Sequence, residues 1–112
     1  MIGPCHDYFG RKNTNYSSSF TEDSYDAIRK GMSYQSVINL LGEPLSSNVN
    51  RDYPVWALRD ANIRERLGPD TTFDMKVILY SEPLDQMKDY ELVQIAFDQN
   101  LNVVETEKWV TD

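Results

Sequence analysis

The apolar positions between Tyr25 and Pro44 recur at helical spacing, in two short runs separated by a glycine. In the first run Tyr25, Ile28 and Met32 share one side, Asp23 or Ser24 is placed to cap the start, and Gly31 supplies a left-handed residue to end it. In the second, Tyr34, Val37, Ile38 and Leu41 fall at i, i+3, i+4 and i+7, a single stripe opposed by Gln35, Ser36 and Asn39. Ser33 is its N-cap, Gly42 closes it, and Pro44 prevents its resumption because proline has no N–H to donate. Backbone geometry thus accounts for both glycines. A phosphate-cradling loop needs more of them ahead of a helix than "GMS" offers.

From Leu45 onward the period shortens to two. "LSSNVNR" reads as a weak first strand, and "YPVWALRD" as a short aromatic one with Pro54 at an edge or first position, where its missing N–H does not matter. In "FDMKVILYS", Phe73, Met75, Val77 and Leu79 alternate with Asp74 and Lys76. In "ELVQIAFD", Val93, Ile95 and Phe97 do the same, and "QN" joins this run to "LNVVETEKWV" as an antiparallel hairpin with Asn100 at the left-handed turn position. "DANIRERLGPD" reads as a helical turn ending at Gly68 or as a long loop. Short connections favour antiparallel pairing, since parallel strands need crossovers of about a dozen residues or more. The predicted fold is α+β: two N-terminal helices packed on one face of an antiparallel sheet of three to five strands, a two-layer sandwich.

A chain of 112 residues suits one domain, and 40% hydrophobic with 26% charged residues is the composition of a globular protein. Residues 6–20, "HDYFGRKNTNYSSSF", have no period and little apolar surface to offset the entropy of ordering them. Residues 1–22 are therefore expected to be a flexible tether and 23–112 the folded domain. A net charge of −7 argues against a phosphate-tracking surface and so against nucleic acid as a partner. Arg59, Arg64 and Arg66 form the densest basic group, but Asp60 and Glu65 interrupt it, as in a solvated mixed-charge segment. Cys5 is the single cysteine, which excludes an internal disulfide and a CxxC metal pair. No apolar run reaches the roughly 18 residues that a membrane-spanning helix needs, and no secretory signal is expected in the chain as given.

Candidate chemistry is sparse. Cys5, His6 and Asp7 adjoin one another, yet they fall in the expected tether, where nothing holds them to the geometry of a metal or catalytic site. The only histidine is His6, and the carboxylates are scattered over turns and polar strand positions, so neither a catalytic residue nor a cofactor is expected. Aromatic residues stand out at 12%, with Tyr53, Trp56, Tyr80, Tyr90 and Trp109 in or beside strands. On an accessible sheet face such residues anchor protein contacts, because they cover much area with little rotamer entropy to lose. Tyr53 and Trp56 are the candidate protein-binding residues.

The run "IRKGMSYQSVINLLGEP", a following aromatic strand, and "LVQIAFDQNLNVVE" together resemble the SmpA/OmlA (BamE) family of small outer-membrane lipoproteins and the wider fold group that includes β-lactamase-inhibitor-like domains. The residues that carry the resemblance are Gly31, Met32, Ser33, Val37, Leu41, Gly42 and Pro44, then Val55, Trp56 and Leu58, then Phe97, Asp98 and Val103. The segment between Arg59 and Tyr90 is longer than in typical members and carries what looks like an additional strand. The resemblance implies a non-enzymatic protein-binding or scaffold module of the bacterial envelope, with assembly components as partners, a lipid headgroup contact, and lipid attachment at Cys5. Its location would be the periplasmic side of the outer membrane if an export signal has been removed, and the cytoplasm otherwise. The alternative is a proteinaceous inhibitor of the β-lactamase-inhibitor type, presenting the acidic loop "SEPLDQMKDYE".

Overall fold

The computed structural model describes residues 14–84 and 90–111. Among them are strand β1 (Thr14–Tyr16), helices α1 (Glu22–Asp26) and α2 (Tyr34–Leu41), strand β2 (Ser46–Pro54), a 3-10 turn (Val55–Ala57) and helix α3 (Ala61–Leu67). Strands β3 (Thr72–Leu79), β4 (Ser81–Pro83), β5 (Tyr90–Phe97) and β6 (Val103–Thr111) complete the order. The fold is α+β with wholly antiparallel pairing: a four-stranded sheet in the order β2-β3-β5-β6, and a two-stranded sheet of β1 and β4.

The second helix forms as its sequence dictates. The Ser33 hydroxyl accepts from the Ser36 N–H at 3.2 Å, Val37 and Leu41 are fully buried, and Gly42 ends the helix at φ 79°. The first helix is shorter than expected. Thr21, not Asp23 or Ser24, caps it by accepting from the Ser24 N–H at 3.0 Å, and it stops at Asp26. Gly31 serves elsewhere: its N–H donates to the Val103 carbonyl oxygen at 2.8 Å, tying the loop between the helices to β6. The segment that read as either a helical turn or a loop is a helix, capped by the Asp60 carboxylate and closed by Gly68 at φ 98°.

Two apolar clusters hold the sheet, one on each face. Val77 and Ile78 are consecutive on β3 and therefore point to opposite sides. Ile78 packs with Val93, Ile95, Phe97 and Val103 beneath Val37 and Leu41 of α2, together with Ile28 and Phe20. Val77 packs with Phe73, Met75, Ala96 and Val104 beneath Val55 and Leu58 of the turn and Ile63 of α3. The expectation of two N-terminal helices packed on one face holds only as far as the α+β class: α2 buries Val37 and Leu41 in the first cluster, whereas α1 has no buried residue. A third helix follows β2, and its apolar side serves the opposite face.

The N-terminal expectation also changes. Residues 1–13, which include Cys5, His6 and Asp7, lie outside the described residues, but from Thr14 onward the chain belongs to the domain. Strand β1 pairs with β4 through Thr14–Pro83 and Tyr16–Ser81, and the Phe20 ring is buried, stacking with Tyr16 at 5.3 Å between centroids. From Thr14 onward the expected tether does not hold, because Phe20, which belongs to no helical or strand period, is buried individually against Tyr80 and Tyr25.

Candidate protein-interaction surface

The end of β2 sets the positions of both candidate residues. In a 3-10 turn, residues three apart share a side. Val55 and Leu58 point inward, 1% and 2% exposed, which turns Trp56 outward at 70% exposure. Trp56 thus sits on the turn after β2 rather than in a strand, and burial of its two neighbours fixes its presentation. Tyr53 is still on β2, opposite Phe73, and meets that ring edge-on with 6.0 Å between centroids. It is half-buried and so is only partly a surface group.

Beyond the turn, Arg59 is tied to β6 twice. Its backbone N–H donates to Glu105 Oε2 at 2.8 Å, and its guanidinium pairs with Glu107. Gln94 of β5 donates to the other Glu107 oxygen at 2.7 Å. Burial raises the Tyr53 phenol pKa above its ordinary value, and the nearby Glu105 and Glu107 charges add to that rise while Arg59 opposes it. Tyr53 therefore shares one electrostatic environment with these three residues.

Two open cavities flank this region. One of about 320 Å³ is lined by Arg59, Glu107, Lys108 and Trp109, with Trp109 40% exposed. The other, about 160 Å³, lies where the loop between α1 and α2 meets α3, lined by Lys30, Gly31, Asp60, Asn62, Ile63 and Arg66. Lys30 pairs with Asp60 at 3.3 Å there. Hydrogen bonding from the Ile63 N–H, with help from Lys30, holds the Asp60 carboxyl below the usual carboxylate range. On the other side of β6, Lys108 pairs with Glu22 and lies 5.0 Å from the Tyr25 ring centre. Burial works against its positive charge, but the hydrogen bond and charge of Glu22 outweigh burial and raise its pKa.

Of the strand aromatics singled out by sequence, Tyr80 is a core residue, fully buried and donating its hydroxyl hydrogen to the Gly42 carbonyl at 2.8 Å. Tyr53, Trp56 and Trp109 remain accessible to different degrees. Residues 85–89 of the acidic loop fall outside the described residues, and within it Ser81 is buried, bridging the Glu91 carbonyl and the Val93 N–H. What sequence reasoning missed is the pairing of Arg59 with Glu107 and of Lys30 with Asp60. The first had a signal: Glu105, Glu107 and Trp109 alternate in "VVETEKWV", the mark of one strand face.

Among the described residues, no group of three or more His, Cys, Asp or Glu is arranged to hold a metal ion, and no helix is long and apolar enough to cross a membrane. No family model, no curated protein and no solved structure matches the chain.

Proposed function

We propose that this protein is a non-enzymatic binding or scaffold module of the bacterial cell envelope, acting on a protein partner through the surface around Trp56 and Tyr53. The single observation that carries the reading is the presentation of Trp56: a large aromatic side chain, 70% exposed, on a turn whose flanking residues are locked in the core. Such a residue loses little entropy on contact, and the paired charges of Arg59 and Glu107 supply a polar surround of the kind that borders an interface anchor. The envelope assignment rests on the sequence resemblance, through Gly31, Met32, Ser33, Val37, Leu41, Gly42 and Pro44. The α+β character of the fold, with wholly antiparallel pairing among the described strands, is the structural feature on which it draws. Assembly components of the outer membrane are the partner class, with lipid headgroups as a further contact and Cys5 as the attachment point of an exported form.

The test is one substitution read in two ways. Trp56→Ala is expected to weaken partner capture from solubilised envelopes by about 2 kcal/mol, roughly 30-fold, with the unfolding midpoint nearly unchanged. Full-strength capture by a stably folded Trp56→Ala protein would remove this surface from consideration.

A further inference from the structure

The geometry points to the outer edge of β6 as a docking strip for one kind of ligand: an extended peptide of a partner protein that joins the sheet as an added antiparallel strand, with an acidic residue at its C-terminal end and an aromatic or apolar residue at its N-terminal end.

The backbone of β5 determines which groups of β6 face outward. Val93 on β5 turns both of its polar groups away from β6: its carbonyl accepts from the Tyr80 N–H at 2.9 Å and its N–H donates to Ser81 Oγ at 2.8 Å. In an antiparallel ladder the residue opposite then directs its own N–H and C=O to the far side. That residue is Lys108. By alternation Thr106 and Val110 do the same. These backbone groups have no partner among the described residues.

The chain itself already places a loop segment against this edge through an isolated bridge. At its start, Val103 donates to the Met32 carbonyl and accepts from the Gly31 N–H, both at 2.8 Å, and Ser33 bridges Asn102 in antiparallel sense. Toward Thr106 the pairing stops because the chain before Gly31 comes from α1 through residues 27–30, none of which makes a backbone hydrogen bond to β6. The free groups of Thr106, Lys108 and Val110 continue the same line.

The two ends of the strip differ in chemistry, which fixes the occupant. Near Val103, the 160 Å³ cavity holds Lys30 and Arg66. Its carboxylate, Asp60, is already committed to Lys30 and to the first N–H groups of α3, whereas Arg66 has no carboxylate partner among the described residues. An incoming carboxylate complements that free guanidinium, and in a protein of net charge −7 few other places attract one. Near Val110, the 320 Å³ cavity is walled by Trp109 together with Arg59, Glu107 and Lys108, and the Trp109 ring offers its face to an aromatic or apolar side chain. From Thr106 to Val110 the free edge advances about 13 Å, so the central five residues of a peptide of about seven pair with it and the two ends reach toward the two cavities. The opposite edge strand, β2, has an open edge as well, but its Arg51 is already engaged with Asp74 at 3.4 Å.

This inference rests on the protein-binding reading for the class of ligand, yet it uses a different surface, so the two can fail separately. The probe is a capped heptapeptide with phenylalanine at its N-terminal end, glutamate at its C-terminal end and alternating threonine and valine between, titrated into the isotope-labelled full chain. Saturable shifts and slowed hydrogen exchange at the Thr106, Lys108 and Val110 amides are expected. Methylating alternate backbone nitrogens of the peptide abolishes them. Replacing its glutamate by lysine weakens binding about tenfold, and Arg66→Glu in the protein reverses that preference. Trp56→Ala leaves peptide binding intact. The strip is ruled out by the absence of saturable shifts up to millimolar peptide, or by binding that survives N-methylation. It is equally ruled out by inorganic phosphate reproducing the same shifts, or by concentration-dependent protection of those amides without peptide, which would mean that a second copy of this chain occupies the edge.

Discussion

A methyl group built on Gly42 would bring its carbon to 2.4 Å from the Ser19 Cβ, so the end of α2 and the segment leading into α1 are packed to the limit of contact. Gly42 also adopts φ 79° and ψ −168°, a backbone region open in practice only to glycine. Gly42→Ala is accordingly expected to destabilise the domain by more than about 1–3 kcal/mol, the range for such backbone strain alone. Chemical denaturation of the pair measures it, and an unchanged midpoint would contradict the close approach.

Phe20 tests the ordered part of the N-terminal segment. Its ring is 5% exposed and packs with Tyr16, Tyr25 and Tyr80. Phe20→Ala is expected to lower stability by about 3–5 kcal/mol, as much as Leu41→Ala within α2 at about 2–5 kcal/mol, while Asn39→Ala on the exposed side of the same helix changes little. A Phe20→Ala effect as small as that of Asn39→Ala would restore the view of this segment as a tether.

The hairpin between β5 and β6 contains a strained residue. Leu101 has φ 62°, where a side chain clashes with its own backbone, and Asp98 holds the turn by accepting from the Asn100 and Asn102 N–H groups at 2.9 and 3.0 Å. Leu101→Gly is expected to raise stability by about 1 kcal/mol, since the side chain is 41% exposed and gives up little burial. A thermal melt shows it. A fall of similar size would mean that the Leu101 contacts outweigh the strain.

Asp60 makes the cap of α3 pH-sensitive. Its carboxyl pKa is lowered on folding, first by the Ile63 N–H and then by Lys30, so the contribution is full above the unfolded value of 3.8 and is lost as pH falls through the folded one. Wild type is expected to exceed Asp60→Asn in stability at neutral pH, with the gap closing below pH 3.8. A gap that stays constant through the acid range would contradict the assignment of the shift to this cap.

The sequence by itself determined the local elements. Helix α2 was legible from end to end, because its N-cap, stripe and terminal glycine are all local and the buried side is the one that the period marks. The β5–β6 hairpin was legible from alternation, although the left-handed position went to Leu101 and not to Asn100. That choice follows from Asp98, which captures two backbone N–H groups and shifts the turn by one residue.

Tertiary structure alone decided the rest. Alternation on β3 marks two sides but does not say whether the second is wet, and only the packing of Val55, Leu58 and Ile63 against Val77 and Phe73 shows that it is covered. Of the two candidate residues, Trp56 was named from sequence as a strand aromatic, but its exposure follows from the burial of Val55 and Leu58, which leaves Trp56 of the intervening pair turned outward. The contacts of Lys30 with Asp60 and of Arg59 with Glu107 join residues 30 and 48 positions apart. No local period encodes such pairs, because which distant charges meet is set by how the sheet and helices pack.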